Sequence, residues 1–252
     1  MLLGHVLGRT RTWVLAHPEA HLSSVQEHTL RDALTLLENG QPLPYVLGHW
    51  EFYGLDFLIT PDTLIPRPET ELLVEQALSW SRTRSKRLRA ADIGTGSGCI
   101  AISLALTASN VHVLGCDLSM PALLVAKENA HRHGVSGNVD FVQCDLLTSV
   151  RSQFDLICAN LPYIPTETLH TLKVYQREPE LALDGGEDGL AHIQRLINGA
   201  KAALAPGSLL LLEIEASSGA AVHSLAHQAF PKADVQVLPD LAGCDRLVSV
   251  LT

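Results

Sequence analysis

From Arg89 onward the chain alternates short apolar runs with segments long enough to be helices, and this alternation constrains the fold more than any other feature. "RAADIG" precedes a helix from Gly98, and "VHVLGCD" precedes a helix over 120–133. "VDFVQCD" and "FDLICAN" follow, then a helix over 190–204, the run "SLLLLEI", a helix from Ser217, and the strands "VQVL" and "RLVSVL". Strands joined by helices of about ten or more residues need crossovers, which are right-handed and build a mainly parallel sheet covered on both faces. The expected class is α/β.

The part before Arg89 reads differently. Ser24 with Glu27 predicts a capping box, Leu30, Ala33, Leu34 and Leu37 recur at helical spacing, and Asn39-Gly40 supplies a stop, so a helix is predicted over 24–38. The stretch "QPLPYVLGHWEFYGLDFLITPDTLIP" is rich in Pro, Gly and aromatics and alternates at Phe57 and Ile59, which predicts a short hairpin joining two parts of the molecule. A helix beginning near Pro68 follows, with Glu69 and Glu71 in the first turn, where the helix dipole favours acids. The chain divides accordingly into an amino-terminal helical part, 1–45, a hairpin linker, 46–66, and a larger α/β domain, 67–252.

Composition narrows the function. The 252 residues are 46% hydrophobic and 18% charged, too apolar for disorder. No apolar run approaches the roughly 18 residues that cross a bilayer, so no membrane partner is expected. The start, "MLLGHVLGRTR", lacks a leading basic segment and is broken by Gly4, His5 and Gly8, which argues against a secretory signal and for a cytoplasmic protein. Its five cysteines, with no C-x-x-C pair, read as reduced, mostly buried thiols. The histidines show no metal-ligand spacing; His17 and His21 have Pro18 between them and no third ligand near. A net charge of −9 disfavours stable nucleic acid binding. The basic cluster "RTRSKRLR", Arg82 to Arg89, is most simply a solvated linker before a strand.

Ligands of such a sheet bind outside the carboxyl ends of its strands, where the strand order reverses. Three polar signals fall there. "DIGTGSG" places Gly94, Thr95, Gly96, Ser97 and Gly98 between a strand and a helix, and glycines let backbone approach a ligand. Asp117 ends the next strand, where a carboxylate suits two ribose hydroxyls. The glycine spacing departs from the dinucleotide fingerprint, whose third glycine falls on Cys99, and lacks a P-loop Lys-Ser/Thr. A nucleoside cofactor without pyrophosphate fits, and S-adenosylmethionine is the candidate. The third signal is "NLPY": Asn160 stops an apolar strand, and Pro162 keeps Leu161 extended, leaving carbonyls free beside the Asn160 side-chain oxygen. Such acceptors take both hydrogens of a planar NH2 group, and Tyr163 can pack over it. The bland alternatives are a structural glycine turn and an Asx turn capping the strand.

These residues carry a family resemblance. "HVLGRTRTWVLAHPE", "PYVLGHWEFYG", "LIPRPETELLVE", "DIGTGSGCIAISLA", "FDLICANLPYI", "REPELALDGGEDGL" and "GCDRLVSV" together resemble the HemK family of release factor glutamine N5-methyltransferases across nearly the whole chain. The resemblance implies a seven-stranded, Rossmann-like class I methyltransferase domain behind a small helical domain that helps recognise a protein substrate. It implies S-adenosylmethionine at Gly94 to Gly98 and Asp117, with Asp145 or Leu146 beside the adenine and Asn160 near the methyl group. Asn160, Leu161, Pro162 and Tyr163 would hold the glutamine of the Gly-Gly-Gln tip of class 1 peptide release factors. The sequence departs from the family at Leu161, usually proline, at Pro44-Tyr45, usually Gln-Tyr, and in a shortened amino-terminal part.

If Asn160 and the Leu161 carbonyl hold both amide hydrogens, the nitrogen lone pair is free to turn towards a methyl donor, so alignment and pre-oriented acceptors supply the catalysis and no strong base is needed. Two other readings compete. Adenine N6-methylation of RNA or DNA poses the same geometric problem, and a catalytically silent module that binds the cofactor or a ribosomal partner is a second, which the complete Asn160 to Tyr163 turn argues against. Arg67 and Glu69 are either substrate contacts or, in the bland reading, a pair at a helix start, with Glu71 the other partner for Arg67. "EPELALDGGEDGL", between a strand end and a helix, has the position of a lid.

Overall fold

A computed structural model describes all of residues 1–252. Four helices come first: α1 (Leu2–Leu7), α2 (Arg11–Ala16), α3 (Ser24–Glu38) and α4 (Leu43–Leu47). A hairpin of β1 (His49–Phe52) and β2 (Leu55–Leu58) follows, then a 3-10 turn at Pro68–Thr70 that runs into α5 (Glu71–Arg82). The alternating part comprises β3 (Leu88–Ile93), α6 (Cys99–Thr107), β4 (Val111–Asp117), α7 (Met120–Arg132), β5 (Val139–Gln143) and β6 (Phe154–Ala159). It continues with the short α8 (Thr166–Leu169), α9 (Ala191–Ala203), β7 (Leu204–Glu213), α10 (Gly219–Ala229), β8 (Asp234–Pro239) and β9 (Asp245–Leu251).

The seven-stranded sheet has the order β5-β4-β3-β6-β7-β9-β8, parallel except for β9, which runs antiparallel to both of its neighbours. From β3 the chain moves outward to β4 and β5, then returns to the other side of β3 with β6. That reversal decides where a ligand sits. Ile93 pairs with Ala159, so Gly94 and Asn160 leave the sheet side by side.

Strand periodicity explains the two-sided core. On β7, Leu209 and Leu211 join the apolar cluster that holds Leu73 and Leu78 of α5 and Ile102 of α6, while Leu210 and Leu212 join Ile193 and Leu196 of α9 and Val222 of α10. Each such burial contributes about 1.5–3 kcal/mol. The hairpin is part of the first cluster through Phe52, Phe57 and Ile59. It is further stapled by Asn129 of α7, fully buried, whose Oδ1 accepts from Leu58 N at 2.8 Å and whose Nδ2 donates to Leu58 O at 3.0 Å and Ser97 O at 2.9 Å. One side chain thus ties the hairpin to the glycine loop.

The helix over 24–38 forms as expected, but its box is shifted by one residue. Ser23 is the N-cap, its Oγ accepting from Gln26 N at 3.3 Å while Gln26 Oε1 accepts from Ser23 N at 2.9 Å. The Ser24–Glu27 pairing is therefore corrected: Ser24 is already helical, and Gln26 serves the box as well as an acid does. The segments from Pro68 and Ser217 start with single 3-10 turns before α5 and α10. Four cysteines are buried and Cys244 is exposed. The Arg82 to Arg89 segment is the mostly exposed connection between α5 and β3, where Lys86 pairs with Asp155 at 2.6 Å.

Candidate cofactor and substrate site

Two cavities share a wall at the switch point. The larger, about 330 Å³, is lined by Gly94, Gly96, Asp117, Asp145, Leu146 and the Asn160–Pro162 turn, with Pro179, Leu181 and Ala182 of the "EPELA" segment over it. The smaller, about 130 Å³, is lined by Arg67, Asn160 to Ile164, Val174 and Leu183. Asn160, Leu161 and Pro162 belong to both, with Leu64 and Ala182 beside them, so the two cavities adjoin at this turn. A depression of about 570 Å³ lies beyond, between the β5–β6 connection and α9. It shares only Leu146 and Arg195 with the larger of the two cavities and lies off the switch point, so the chemistry is assigned to the smaller pair.

The glycine loop forms because its backbone is left-handed at three points, with φ of 74° at Gly94, 54° at Gly96 and 81° at Gly98. Of the five predicted loop residues only Gly94 and Gly96 line the cavity. Thr95 and Ser97 are buried instead: the Thr95 hydroxyl donates to Asp92 Oδ2 at 2.7 Å and the Ser97 carbonyl accepts from Asn129. Gly98 packs against Ala126 and caps α6. Asp117 is at the cavity, as predicted, and its carboxylate accepts from Gly96 N at 2.9 Å and Ser119 N at 2.8 Å. Burial raises its pKa while those two N–H groups oppose the rise. Asp145 also lines the cavity, held by Arg195 at 2.6 Å, and Leu146 beside it has the unusual φ of 52°.

Asn160 Nδ2 donates to the Thr70 hydroxyl at 3.0 Å, which leaves Oδ1 as the group available for a ligand. Tyr163 is driven up to about 12, mainly by burial and then by Glu213, and stays a neutral phenol. The turn is clasped from behind by the glycine-rich segment: a Cβ on Gly189 would lie 2.3 Å from the Tyr163 carbonyl oxygen, and one on Gly185 would lie 2.8 Å from Tyr163 Cα. An isolated bridge between Ile164 and Asp184 closes the clasp. Arg67 lines the smaller cavity, yet it pairs with neither Glu69 nor Glu71. The bland pairing is thereby corrected. Arg67 instead meets Glu178, a buried carboxylate that also accepts from Ile65 N at 3.1 Å, while Glu69 is exposed. Glu71 accepts from Tyr53 N at 2.8 Å.

Comparison with known proteins decides the family. The release factor glutamine methyltransferase of Moorella thermoacetica is 43% identical over 248 residues, 98% of this chain and 87% of that protein. The one from Bordetella pertussis is 41% identical over 250 residues, 98% and 91% of the two chains. The chain belongs to the release factor glutamine methyltransferase family. Residues 84–236 match the family described as methyltransferase domain, and residues 1–48 match the PrmC N-terminal domain. Among solved structures, the hMettl16 catalytic domain aligns with a TM-score of 0.62 at 17% identity, covering 91% of this chain and 82% of that one. A methyltransferase from Pyrococcus furiosus aligns with a TM-score of 0.57 at 17% identity, covering 91% and 98%. These two likenesses concern the fold.

For this release factor glutamine methyltransferase family member, the relatives favour the glutamine reading over the adenine alternative. Sequence reasoning missed four polar residues of the site region: Thr70, Glu178, Asn129 and Glu213. Glu213 carried the same signal as Asn160 and Asp117, a polar residue closing an apolar run at a strand end.

Proposed function

We propose that the protein transfers a methyl group from S-adenosylmethionine to the side-chain amide nitrogen of the glutamine in the Gly-Gly-Gln motif of class 1 peptide release factors, in the cytoplasm. The observation that carries this reading is the shared wall of the two cavities: Asn160, Leu161 and Pro162 face both the glycine-loop cavity and the smaller one.

The residues present fit the cofactor. A Cβ on Gly94 would fill the cradle, meeting Leu161 Cδ2 at 3.2 Å, and Asp117 is fixed by two backbone N–H groups with lone pairs left for ribose hydroxyls. Gly94, Gly96 and Asp117 would hold it, with Leu146 against the base. S-adenosylmethionine supplies an electrophilic sulfonium methyl group there.

The chain's own task is to make an amide nitrogen reactive. Its lone pair is ordinarily delocalised into the carbonyl. Asn160 Oδ1 and the Leu161 carbonyl accept the two N–H hydrogens, which fixes the NH2 group at the shared wall and turns its lone pair towards the larger cavity. Acceptors already in place stabilise the charge that develops on nitrogen without reorganising. Nitrogen gains a bond to the methyl carbon as that carbon's bond to sulfur breaks, leaving S-adenosylhomocysteine as the neutral thioether, and nitrogen loses a proton to solvent; since its lone pair is by then in use, that proton is acidic and the chain needs no strong base. Tyr163, neutral and half-buried, packs beside the group.

The test is mass analysis of a Gly-Gly-Gln peptide or whole release factor after incubation with the protein and S-adenosylmethionine. Methylated glutamine is expected, and Asn160→Ala lowers turnover by about 10² or more. Unmodified glutamine together with methylated adenine in an RNA control overturns the reading.

A further inference from the structure

Glu213 ends β7 one residue past the pairing of Leu212 with Ala159, and so emerges beside Asn160. It is 2% exposed, and its Oε2 is buried without a hydrogen-bond partner. An ionised carboxylate left in that state costs several kcal/mol, so packing alone gives no reason for an acid between the fully buried Leu212 and Ile214. The groups that face it come from four elements: Thr70 and Glu69 from the turn before α5, Asn160 and Tyr163 from the segment after β6, Arg246 from β9, and the buried Cys99 thiol from α6. Burial drives its pKa up to about 7; Thr70, Arg246 and Asn160 pull it down and Glu69 adds to the rise.

We propose that Glu213, acting through the Thr70 hydroxyl, fixes which way the Asn160 carboxamide faces, and is thereby a positioning residue for the methyl acceptor. This rests on the reading that Asn160 holds the substrate amide.

A carboxamide is nearly symmetric in shape, so its two orientations differ only in hydrogen bonding. One presents Oδ1 to the smaller cavity and accepts the substrate NH2. The other presents Nδ2, and two NH2 groups then face each other with no acceptor between them. Thr70 Oγ1 receives Asn160 Nδ2 at 3.0 Å, and this is the productive orientation. A hydroxyl has one proton, however, and Thr70 holds Nδ2 reliably only if that proton is engaged elsewhere. Glu213 as a carboxylate accepts it and makes Thr70 an acceptor towards Asn160. Once protonated, Glu213 itself donates to Thr70, whose proton is then released to turn towards a flipped Asn160. The ionised acid buried beneath the turn thus sets the direction of the relay.

The experiment measures kcat and KM with purified class 1 release factor, and S-adenosylmethionine affinity by calorimetry, for Asn160→Ala, Thr70→Val, Thr70→Ser and Glu213→Gln. Thr70→Val keeps the shape and removes the relay; kcat is expected to fall by about 10²-fold, the scale of a misplaced reacting group, with cofactor affinity within about twofold. Thr70→Ser restores kcat to within about threefold. The wild-type protein loses kcat as pH falls through about 7, and Glu213→Gln, which retains an acceptor and cannot titrate, loses that inflection. Wild-type kcat in Thr70→Val beside an inactive Asn160→Ala overturns this inference and leaves the role of Asn160 standing. Full activity in Asn160→Ala removes both. A loss that Thr70→Ser fails to restore, or an acid limb that persists in Glu213→Gln, assigns these residues to packing and also overturns it.

Discussion

Gly94 and Leu161 close on each other across the switch point: a Cβ on Gly94 would stand 3.2 Å from Leu161 Cδ2 and 3.5 Å from the Asn160 carbonyl oxygen. Gly94 also holds φ at 74°. The glycine loop and the Asn160 turn, proposed above to hold the cofactor and the substrate amide, therefore touch through a residue at which any side chain is strained. Gly94→Ala meets both penalties, of which left-handed strain alone is about 1–2 kcal/mol. S-adenosylmethionine binding is expected to weaken by about tenfold or more, as read by calorimetry. Unchanged affinity shows that the loop relaxes without cost.

Leu161 is where the sequence departs from the family's usual proline. Its N–H makes no hydrogen bond within the protein, and Pro162 already keeps it extended, which are the two conditions under which proline is accepted. Its side chain is buried, so Leu161→Pro costs some packing while stiffening the turn, two effects of about 1 kcal/mol and opposite sign. Turnover of Leu161→Pro should stay within about threefold of wild type in a steady-state assay. A loss beyond tenfold would show that the leucine side chain, and not only its carbonyl, serves the reaction.

Much of this site was legible because strand ends announce it. Asp117 and Asn160 each close an apolar run, and in a parallel sheet such residues emerge at the ligand edge. Glu213 closes a run in the same way; reading "SLLLLEI" as one continuous strand hid it. Thr70 and Glu178 were not legible, since Thr70 meets Asn160 across 90 residues of chain and Glu178 meets Ile65 across 113, and no local pattern encodes such contacts. The capping residue slipped from Ser24 to Ser23 because neighbouring serines offer the same hydroxyl, and only the backbone geometry separates them. Thr95 and Ser97 were assigned to the cofactor with their loop, although the same turn that frees the glycines directs both side chains into the core.

The segment over the two cavities depends on one buried carboxylate. Glu178 receives Arg67 and Ile65 N, joining the segment after the hairpin to the segment over both cavities. Glu178→Ala leaves the Ile65 N–H without its acceptor and frees the guanidinium. A stability loss of about 1–3 kcal/mol is expected from urea denaturation. Because Arg67 lines only the smaller cavity, KM for the release factor should rise more than the dissociation constant for S-adenosylmethionine. An equal rise in both points to general loosening of that segment.

Asp92 lies under the glycine loop and makes stability depend on pH. It is fully buried; Oδ2 accepts from Thr95 and from Ala101 N at 3.2 Å, while Oδ1 has no partner. Burial pushes its pKa from 3.8 up to about 7, against the pull of those two donors. In the window between these values the native protein holds a proton that the unfolded chain has released. Its contribution is therefore fully present below about 4 and is lost as pH rises through about 7, a change on the order of a few kcal/mol. Glu213, raised from 4.5 to about 7, adds a slope of the same sign. Asp92→Asn mimics the protonated acid and removes its share. Between pH 5 and pH 8 the wild-type protein should lose more unfolding free energy than the variant in urea titrations. Equal losses mean that Asp92 is ionised in the native state throughout, with its charge offset inside the loop.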